Sequence, residues 1–386
     1  MSDSFSKSFV PLYKHFDNPE PAVFLSRPNR FVVIADLQGK RVRVHCPNPG
    51  KLTEILTPNR QIFLEKQKNP SAKTPYRLVS AEYRGNIVPL YSAKANNAFE
   101  NLILPQFFPH PKEFRREVSF PGSRFDFLVK TEQEEHIIEV KACTLVEEGT
   151  AMFPDAQSKR ASKHIIELGD LKNKGYHTHV FFLIMNPEAK RFVPNLHTDP
   201  DFAINLNKLR NIIDIHAVTL HTTPEGEMRI HSTSIPIITS AAAIAEENSG
   251  VYLLLLRLEE DRLIKIGKLG DIFFKKGWYV YTGSAKQGMD RRISRHYRKR
   301  KTMHWHIDYL RQEAAQTVAL PIYTRNPLEC QLADAVASCA DDKIKQFGSS
   351  DCSCNSHLHY FSHDPRKQKD FLHVLFQYWH KTALNP

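Results

Sequence analysis

The sequence has 386 residues, 41% hydrophobic and 25% charged, and lysine plus arginine outnumber aspartate plus glutamate by 53 to 42, for a formal charge of +11. No window reaches the roughly 18 uncharged apolar residues of a membrane helix. Residues 1–12 lack the pattern of a secretory signal. Six cysteines do not make a disulfide framework in so long a chain. We therefore expect a cytoplasmic protein of two to four domains that does not bind membranes and whose basic surface attracts nucleic acid, DNA or RNA; the alternative is charge that serves only solubility.

The first 90 residues predict a small β-barrel, because short alternating segments are separated by strong turn signals. The predicted strands are Val23–Asp36, Arg41–Cys46, Gln61–Lys66 and Tyr76–Arg84, with a short helix at Lys51–Leu56. The basic residues proposed to contact a nucleic-acid strand are Arg27, Arg41, Arg43 and Lys51.

Residues 91–236 predict an α/β domain, since helical and strand patterns alternate. The predicted elements are the helix Asn97–Phe107, the strands Arg124–Val129 and His136–Cys143, the helix Ser158–Lys174 and the strand Thr178–Met185.

The two strands at 124–143 carry the polar residues that point to chemistry. Glu139 and Lys141 are two apart and project from one face of their strand. A hairpin centred between residues 132 and 133 places Asp126 directly opposite Glu139. We therefore expect two carboxylates and one amine on a single patch.

Facing carboxylates repel each other, and an apolar surround strengthens the repulsion. A divalent cation with hard oxygen ligands, Mg²⁺ or Mn²⁺, would offset it and polarise a phosphodiester. Lys141 would orient water or stabilise charge on phosphate. The alternative is an exposed strand face with an ordinary Glu139–Lys141 ion pair.

This Asp…Glu-x-Lys pattern resembles that of the PD-(D/E)XK nuclease superfamily, and residues 13–236 resemble the sugar fermentation stimulation protein A family. The matching stretches are His45–Leu52, Ser123–Leu128, Glu139–Leu145, Phe153–Ala156, Lys163–His164 with Glu167–Leu168, and Phe192–Asn195 with Asp199–Pro200. The resemblance implies an OB-like barrel ahead of a PD-(D/E)XK-like domain, DNA binding, and a link to sugar (maltose) metabolism genes.

Carried over by position, the resemblance makes Asp126 and Glu139 metal ligands and Lys141 the catalytic lysine. Glu100 matches an acidic residue that completes such sites, although a solvated helix glutamate is the alternative. Nucleic-acid contacts in this domain are assigned to Arg124 and to Arg160, Lys163 and His164, of which the last three share one helix at i, i+3 and i+4.

From Gly250 onward the sequence resembles GIY-YIG nucleases, through Gly250–Tyr252 and Tyr279–Gly283 on two predicted strands. The resemblance is supported by the stretches Trp305–Leu310 and Phe347–Cys352. It implies that Tyr252 and Tyr281 lie near the attacking water, that Arg292 contacts phosphate and that Glu329 binds a metal. The asparagine expected late in active members is not evident.

A dense basic run follows, with seven lysines and arginines among the 11 residues of Arg291–Lys301. We expect a basic helix whose surface faces phosphate; a solvated helix face is the alternative. The candidates are Arg291, Arg295, Arg298, Lys299 and Arg300.

Cysteines near the end of the chain suggest a second metal. Cys352, Cys354 and His357, with Cys330 as a fourth ligand, would suit tetrahedral Zn²⁺. The alternative is that these cysteines are simply buried. The tail Lys367–Lys381 is amphipathic and predicts a packing helix.

We therefore predict three modules: an OB-like barrel (1–90), a PD-(D/E)XK-like α/β domain (91–236) and, after a linker (237–249), a GIY-YIG-like α/β domain (250–386). The primary hypothesis is a metal-dependent DNA or RNA nuclease. The rival is a non-catalytic DNA-binding regulator of sugar-metabolism genes. A third possibility is that the middle domain cuts while the last one only tethers. The oligomeric state does not follow from the sequence.

Overall fold

The computed structural model describes residues 11–69, 72–350 and 352–385. The chain divides into two compact units: unit 1 extends to Pro194 and includes Asp201–Thr239, and unit 2 comprises Asn195–Pro200 and Ser240–Pro386. The expectation about a secretory signal in residues 1–12 falls almost wholly outside the described residues. Within the described ranges, no helix combines the length and apolar character needed to cross a membrane.

Unit 1 is rich in strands and contains short helices. Its strands are β1 (Tyr13–Lys14), β2 (Glu20–Asn29), β3 (Val32–Leu37), β4 (Lys40–His45), β5 (Gln61–Lys66), β6 (Tyr76–Tyr83), β7 (Asn86–Pro89), β8 (Glu113–Phe120), β9 (Ser123–Lys130), β10 (Glu135–Cys143), β11 (Val146–Glu147), β12 (Thr150–Phe153), β13 (His177–Ile184), β14 (Arg191–Pro194), β15 (Asp214–Thr222) and β16 (Glu227–Ser232). Its α-helices are α1 (Ala95–Ala98), α2 (Leu104–Phe107), α3 (Lys159–Lys172) and α4 (Pro200–Leu209), with a π-helical turn, Phe99–Ile103, between α1 and α2.

The first sheet of unit 1 closes into the expected OB-like barrel. Its strand order is β4-β3-β2-β5-β6-β7, and β4 also pairs with β6. The closing pairs are Val44↔Tyr76 and His45↔Arg77. A sheet whose first and fifth strands pair has no free edge among those five strands.

The β3–β4 hairpin shows how the sequence sets this barrel. Gln38 and Gly39 both have positive φ, 52° and 79°, as a two-residue turn between twisted strands requires. Oδ1 of Asp36 accepts a hydrogen bond from the backbone N–H of Gly39 at 2.7 Å. The turn signal between the predicted strands that end at Asp36 and begin at Arg41 is thereby confirmed.

The second sheet of unit 1 has the order β1-β16-β15-β13-β10-β9-β8 and forms the centre of the α/β domain. Strands β10, β13 and β15 are parallel neighbours, and the others pair antiparallel. One face packs on α3 through residues such as Ile165 and Phe182. The other face shares a continuous hydrophobic core with the helical segment 95–108 and the barrel interior.

A polar contact also joins the barrel to the α/β domain within unit 1. The Tyr83 hydroxyl, at the end of β6, donates a hydrogen bond to the Glu147 carboxylate at 2.9 Å. Arg84 forms an ion pair with the same carboxylate.

Unit 2 is built on an antiparallel sheet with the order β21-β17-β20-β23-β22, beside a ribbon of β18 and β19. Its strands are β17 (Gly250–Leu258), β18 (Arg262–Lys265), β19 (Asp271–Phe274), β20 (Gly277–Ala285), β21 (Gln316–Tyr323), β22 (Asp342–Lys343) and β23 (Leu358–Phe361). Its helices are α5 (Ala242–Glu247), α6 (Met289–Tyr297), α7 (His306–Glu313), α8 (Glu329–Ala337) and α9 (Lys369–Leu384). The predicted packing helix at the tail is α9, in which Phe371 and Trp379 are buried.

Three local predictions were wrong. Val23–Asp36 forms two strands, because the chain turns between Asn29 and Val32. Lys51–Leu56 is a turn and not a helix, since Leu52 adopts a left-handed φ of 50°. The basic helix ends at Tyr297, so the last four residues of the basic run follow it as irregular chain.

Candidate active site

The β9–β10 hairpin has the register predicted from its turn, and its ladder ends at the pair Ile138↔Phe127. Asp126 and Glu139 would be the next pair, but the backbones part there. Oδ2 of Asp126 instead accepts a hydrogen bond from the backbone N–H of Val140 at 2.8 Å. The Asp126 carboxylate therefore lies where two strands diverge and leave polar groups without ladder partners.

Asp126 lies in a polar niche at the edge of the apolar core. The side-chain amide of Asn96, in α1, donates a hydrogen bond to Oδ1 at 2.8 Å. Burial, followed by the charge of nearby Glu139, raises the pKa of Asp126 above its ordinary value. The charge of Glu139 therefore opposes the ionisation of Asp126.

Glu139 is 2% exposed and has two oxygens in different environments. Oε1 accepts from the Lys141 amine and lies 2.7 Å from Nδ1 of His164. Burial acts to raise the pKa of Glu139, but Lys141 and His164 outweigh it and hold the pKa below its ordinary value. Oε2 is buried and has no hydrogen-bond partner among the described residues.

This donor set fits a divalent cation. A buried carboxylate oxygen without a partner is costly unless a cation or donor satisfies it. The second carboxylate, Asp126, adds the hard oxygen donors that Mg²⁺ and Mn²⁺ prefer. Asp126 and Glu139 are therefore the residues that would hold such an ion.

A cavity of about 510 Å³ lies within unit 1 and is lined by Asn96 and Lys141, the residues that contact Asp126 and Glu139, but not by the two carboxylates themselves. Asn96 and Lys141 line it from the α/β domain, and Asn48–Gly50 line it from a barrel loop. Arg30 and Arg160 contribute positive charge to its walls. A Cβ on Gly50 would lie 2.1 Å from Oδ2 of Asp155, so the loop approaches the α/β domain closely only because residue 50 is glycine.

The structure does not bring Glu100 to the carboxylate pair. Its carboxylate lies 3.3 Å from Arg116 in a half-exposed ion pair. Among the described residues, Glu100, Asp126 and Glu139 do not form a group whose ligand atoms all lie within 4.8 Å of one another. Asn96, one helical turn earlier, occupies the position beside Asp126 that was expected for Glu100.

The basic residues proposed on the barrel separate into two kinds. Arg41 and Arg43 are exposed and alternate along β4, so they share one face; Lys51 is exposed as well. Arg27 instead donates hydrogen bonds to four backbone carbonyls, including those of Asn48 and Gly50. The guanidinium of Arg27 therefore fixes the loop that lines the cavity.

On α3, Arg160 and Lys163 are exposed, but His164 is 3% exposed. The expectation that His164 contacts phosphate on the helix surface is corrected, because its ring lies in the interior against Glu139. Lys163 donates to the Gly122 carbonyl at 2.6 Å. Arg124 is exposed and paired with a neighbouring glutamate.

In unit 2, the two tyrosines of the GIY-YIG-like pattern lie on adjacent strands. Tyr252 pairs with Gly283 and Leu254 pairs with Tyr281 in the β17–β20 ladder, so the tyrosines share one sheet face. A Cβ on Gly283 would lie 2.6 Å from the Tyr252 ring, which explains the glycine. The Tyr252 hydroxyl lies 2.9 Å from Nε2 of His296, and burial raises the pKa of Tyr252.

Arg292 and Glu329 meet beside these tyrosines through Ser284. Arg292 donates to the Ser284 carbonyl, and the Ser284 hydroxyl donates to Glu329. The Arg292 guanidinium also lies over the Trp305 ring, 4.6 Å from its centroid. The charges of Arg292 and Glu329 also act on the pKa of Tyr252, so these three residues lie close together, and Tyr281 shares the sheet face of Tyr252.

The basic run of unit 2 is only partly available to a ligand. Arg291, Arg298, Lys299 and Arg300 are exposed. Arg295 instead donates two hydrogen bonds of 2.9 Å to the buried Asp308 carboxylate. Arg295 therefore links α6 to α7 through hydrogen bonds and is not free to contact a ligand.

The four predicted zinc ligands converge. The sulfur atoms of Cys330, Cys352 and Cys354 and a ring nitrogen of His357 all lie within 4.8 Å of one another. These residues come from the start of α8 and from the segment before β23.

Sequence reasoning missed two contacts of the unit 1 site. The first is that of Asn96 with Asp126, for which the sequence offers no signal. The second is that of His164 with Glu139. Ala161, Ile165 and Leu168 form a buried stripe on α3, and His164 lies within that stripe, so helical periodicity alone places it on the inner face.

Three family models match the chain. Residues 25–90 match the SfsA N-terminal OB domain, residues 93–226 match the sugar fermentation stimulation protein RE domain, and residues 251–379 match a domain of unknown function, DUF123. The region that resembles GIY-YIG nucleases is thus the one matched by DUF123.

Curated relatives match about half of the chain. The sugar fermentation stimulation protein homolog of Clostridium tetani is 36% identical over 190 residues, covering 48% of this chain and 83% of the relative. The Carboxydothermus hydrogenoformans homolog is 41% identical over 194 residues, covering 49% and 84%. Among solved structures, Pyrococcus furiosus SfsA in complex with Ca²⁺ is 28% identical with a TM-score of 0.53, covering 58% of this chain and 99% of that one.

Proposed function

The chain belongs to the sugar fermentation stimulation protein family, and we propose that it is a divalent-metal-dependent nuclease that hydrolyses phosphodiester bonds in DNA or RNA. The observation that carries the proposal is the convergence of Asp126, Glu139 and Lys141 where β9 and β10 part. A protein that only binds nucleic acid has no need of a buried carboxylate pair, which is costly without a cation.

We propose Mg²⁺ or Mn²⁺ as the cation, held by Asp126 and Glu139. The Pyrococcus relative was solved with Ca²⁺, an ion that also prefers oxygen ligands. When bound, such a cation would polarise the phosphodiester and acidify a water molecule. His164 keeps Oε1 of Glu139 in place, so that Oε2 remains directed to the ion.

Lys141 supplies the second function of the site. Its amine contacts Oε1 of Glu139 and lines the cavity, so it can donate a hydrogen bond to a phosphate oxygen next to the carboxylates. A fixed ammonium group at that place would stabilise the charge that develops during hydrolysis.

The cavity itself favours a phosphate-bearing substrate. Arg30 and Arg160 belong to its walls, and Arg41 and Arg43 are exposed on the barrel. OB-type barrels bind single strands along basic surfaces. We propose that the barrel holds the strand while the α/β domain cuts it, and that unit 2 adds a phosphate-binding surface through Arg291 and residues 298–300.

Cleavage of end-labelled single- and double-stranded DNA and RNA, with Mg²⁺, Mn²⁺, Ca²⁺ or EDTA, tests the proposal. The wild-type chain should cut in Mg²⁺ or Mn²⁺ and not in EDTA, and Glu139→Gln and Lys141→Met should each lose cutting. Glu135→Gln is the matched control, because Glu135 lies on the same strand but at its exposed end in an ion pair with Lys130.

The same experiment separates the rival hypotheses. If cleavage is lost only in the double variant that combines Arg292→Ala with Glu329→Ala, catalysis takes place in unit 2. Tight binding without cutting under every condition would refute the nuclease and support the DNA-binding regulator.

A further inference from the structure

Unit 2 contains a group of four soft ligands that the proposed nuclease chemistry does not use. We infer that Cys330, Cys352, Cys354 and His357 form a closed structural zinc site. Three sulfurs and one imidazole nitrogen are a ligand set of zinc proteins. The site shares no residue with the Asp126 and Glu139 pair, and its ligand atoms are sulfur and nitrogen and not oxygen. The inference therefore does not depend on the nuclease activity.

The spacing of the ligand atoms fits one tetrahedral ion. Nε2 of His357 lies 3.4 Å from the Cys352 sulfur and 4.0 Å from the Cys330 sulfur. Bond lengths of about 2.3 Å to sulfur and about 2.0 Å to nitrogen place neighbouring ligands of tetrahedral zinc about 3.5–3.8 Å apart. The two measured distances lie close to these values and the remaining ones are no longer than 4.8 Å, so small side-chain movements would be enough to bind one ion.

The orientation of the His357 ring is a separate argument. Its Nε2 faces the cysteines, and its Nδ1 lies 3.2 Å from Oε1 of Glu329. Zinc-bound histidines commonly donate their other ring N–H to a carboxylate, which fixes the ring and strengthens the ligand. His357 is 2% exposed, so Glu329 is its polar partner on the side away from the sulfurs.

The site would tie two parts of unit 2 together. Cys330 is the second residue of α8, whereas Cys352 and Cys354 lie in the loop before β23. The same loop touches the predicted catalytic face, because a Cβ on Gly348 would lie 2.8 Å from the Tyr281 ring. Four protein ligands leave no open position on tetrahedral zinc, so the ion would hold this loop, and with it Glu329, in place without taking part in hydrolysis.

Metal analysis of the full-length chain tests the inference. The protein, purified under reducing conditions, should contain about one zinc per chain, and Co²⁺ in its place should give the intense visible bands of tetrahedral thiolate coordination. Cys354→Ser and His357→Ala should lose the metal. Cys339→Ser is the matched control and should retain it, since Cys339 follows α8 and its thiol contacts carbonyls at the end of that helix instead.

Glu329→Gln tests the supporting carboxylate. It should retain the tetrahedral cobalt spectrum but bind zinc about 10–100-fold more weakly, whereas Glu313→Gln, an exposed glutamate on α7, should bind zinc normally. If Cys354→Ser does not fold, the zinc content and the cobalt spectrum of the wild-type chain still test whether the zinc site exists. A wild-type chain without zinc and without thiolate–cobalt bands, or one with a disulfide among these cysteines under reducing conditions, overturns the inference.

Discussion

Nδ1 of His164 lies 2.7 Å from Oε1 of Glu139, and both side chains are almost fully buried. Helix α3 therefore acts directly on the carboxylate of β10. Because Lys141 contacts the same oxygen, protein groups occupy Oε1 and leave Oε2 for a ligand. In the proposed metal site His164 would act as a positioning residue, and its effect should appear in metal binding before it appears in nucleic-acid binding.

We expect His164→Ala to weaken Mn²⁺ binding about 10–100-fold, the usual cost of losing a group that orients a metal ligand. Calorimetric titration of Mn²⁺ into the full-length chain measures this affinity. Lys163→Ala is the control, because Lys163 is exposed on the same helix; its Mn²⁺ affinity should stay unchanged. Equal affinities in wild type and His164→Ala would contradict the positioning role.

Asp126→Asn should stabilise unit 1 in the absence of metal. Burial and the charge of Glu139 raise the pKa of Asp126, so an ionised Asp126 is unfavourable in the folded state. Its amide oxygen can still accept the Val140 N–H. In urea unfolding with EDTA, we expect the free energy of unfolding to rise by on the order of 1 kcal/mol. The variant should also lose the stabilisation that Mg²⁺ gives the wild type. If the variant is less stable than the wild type in EDTA, the repulsion between the Asp126 and Glu139 carboxylates is unimportant for stability.

Asp308→Asn should destabilise unit 2 by about 3 kcal/mol, the cost of leaving buried cations without their partner. The carboxylate is inaccessible and contacts Arg295 and Lys301. Burial acts to raise the pKa of Asp308, but these contacts hold it far below its ordinary value. Urea unfolding measures the change, and Glu260→Gln is the control, because that glutamate forms an exposed ion pair and should matter by less than about 1 kcal/mol.

Replacing Arg298, Lys299 and Arg300 by alanine should weaken nucleic-acid binding and reduce its salt dependence. Removing one phosphate-binding cation lowers the slope of log affinity against log salt by about 0.9 on duplex DNA. Fluorescence anisotropy over a range of salt concentrations gives this slope. The double variant Lys265→Ala with Lys268→Ala removes other exposed lysines of unit 2; a slope that falls equally there would show a diffuse charge effect and no defined surface.

Unit 1 should lose stability in acid through a buried histidine chain. His179 lies 3.0 Å from His136 and 3.2 Å from His216, and burial, followed by its histidine neighbours, lowers its pKa to about 3. The unfolded chain, with a histidine pKa of about 6.5, takes up the proton first, so the stability is full above pH 6.5 and is lost as the pH falls toward 3.

Urea unfolding between pH 7 and 4 checks this acid sensitivity. In His179→Gln the slope of stability against pH should decrease by up to about 1.4 kcal/mol per pH unit, the value for one proton. His110→Gln, at an exposed position, should leave the slope unchanged. An unchanged slope in His179→Gln would mean that other groups cause the acid loss.

The register of the β9–β10 hairpin was predictable because a strand repeats every two residues and the turn lay between well-defined apolar runs. The strands of the barrel and the alternation of strands and helices in the α/β domain followed from the same periodicity. The end of the basic helix at Tyr297 was not predictable from charge, because charge does not distinguish a helix from an irregular exposed segment. The closure of the barrel by β4 and β6 is a contact between distant segments, and no local pattern encodes it.

The site itself was only partly predictable. The proximity of Asp126, Glu139 and Lys141 was predictable because they lie on neighbouring strands. Asn96 was missed and Glu100 chosen in its place, because a π-helical turn at Phe99–Ile103 alters which residues of this segment face the sheet, and Glu100 lies within that turn. Arg27 and Arg295 form internal hydrogen bonds with carbonyl and carboxylate oxygens, most of which are distant in sequence. Only folding brings these partners close, so the sequence did not predict the contacts.

The hydrophobic core that runs without interruption from the barrel interior through residues 95–108 to the central sheet has a thermodynamic consequence. A chain cut after β7 would expose to water the apolar surface that Phe99, Leu102 and Ile103 cover. Family models divide this region into two pieces, but its melting should show a single cooperative transition. The barrel and the α/β domain would then have had to change together during evolution, since they share this core.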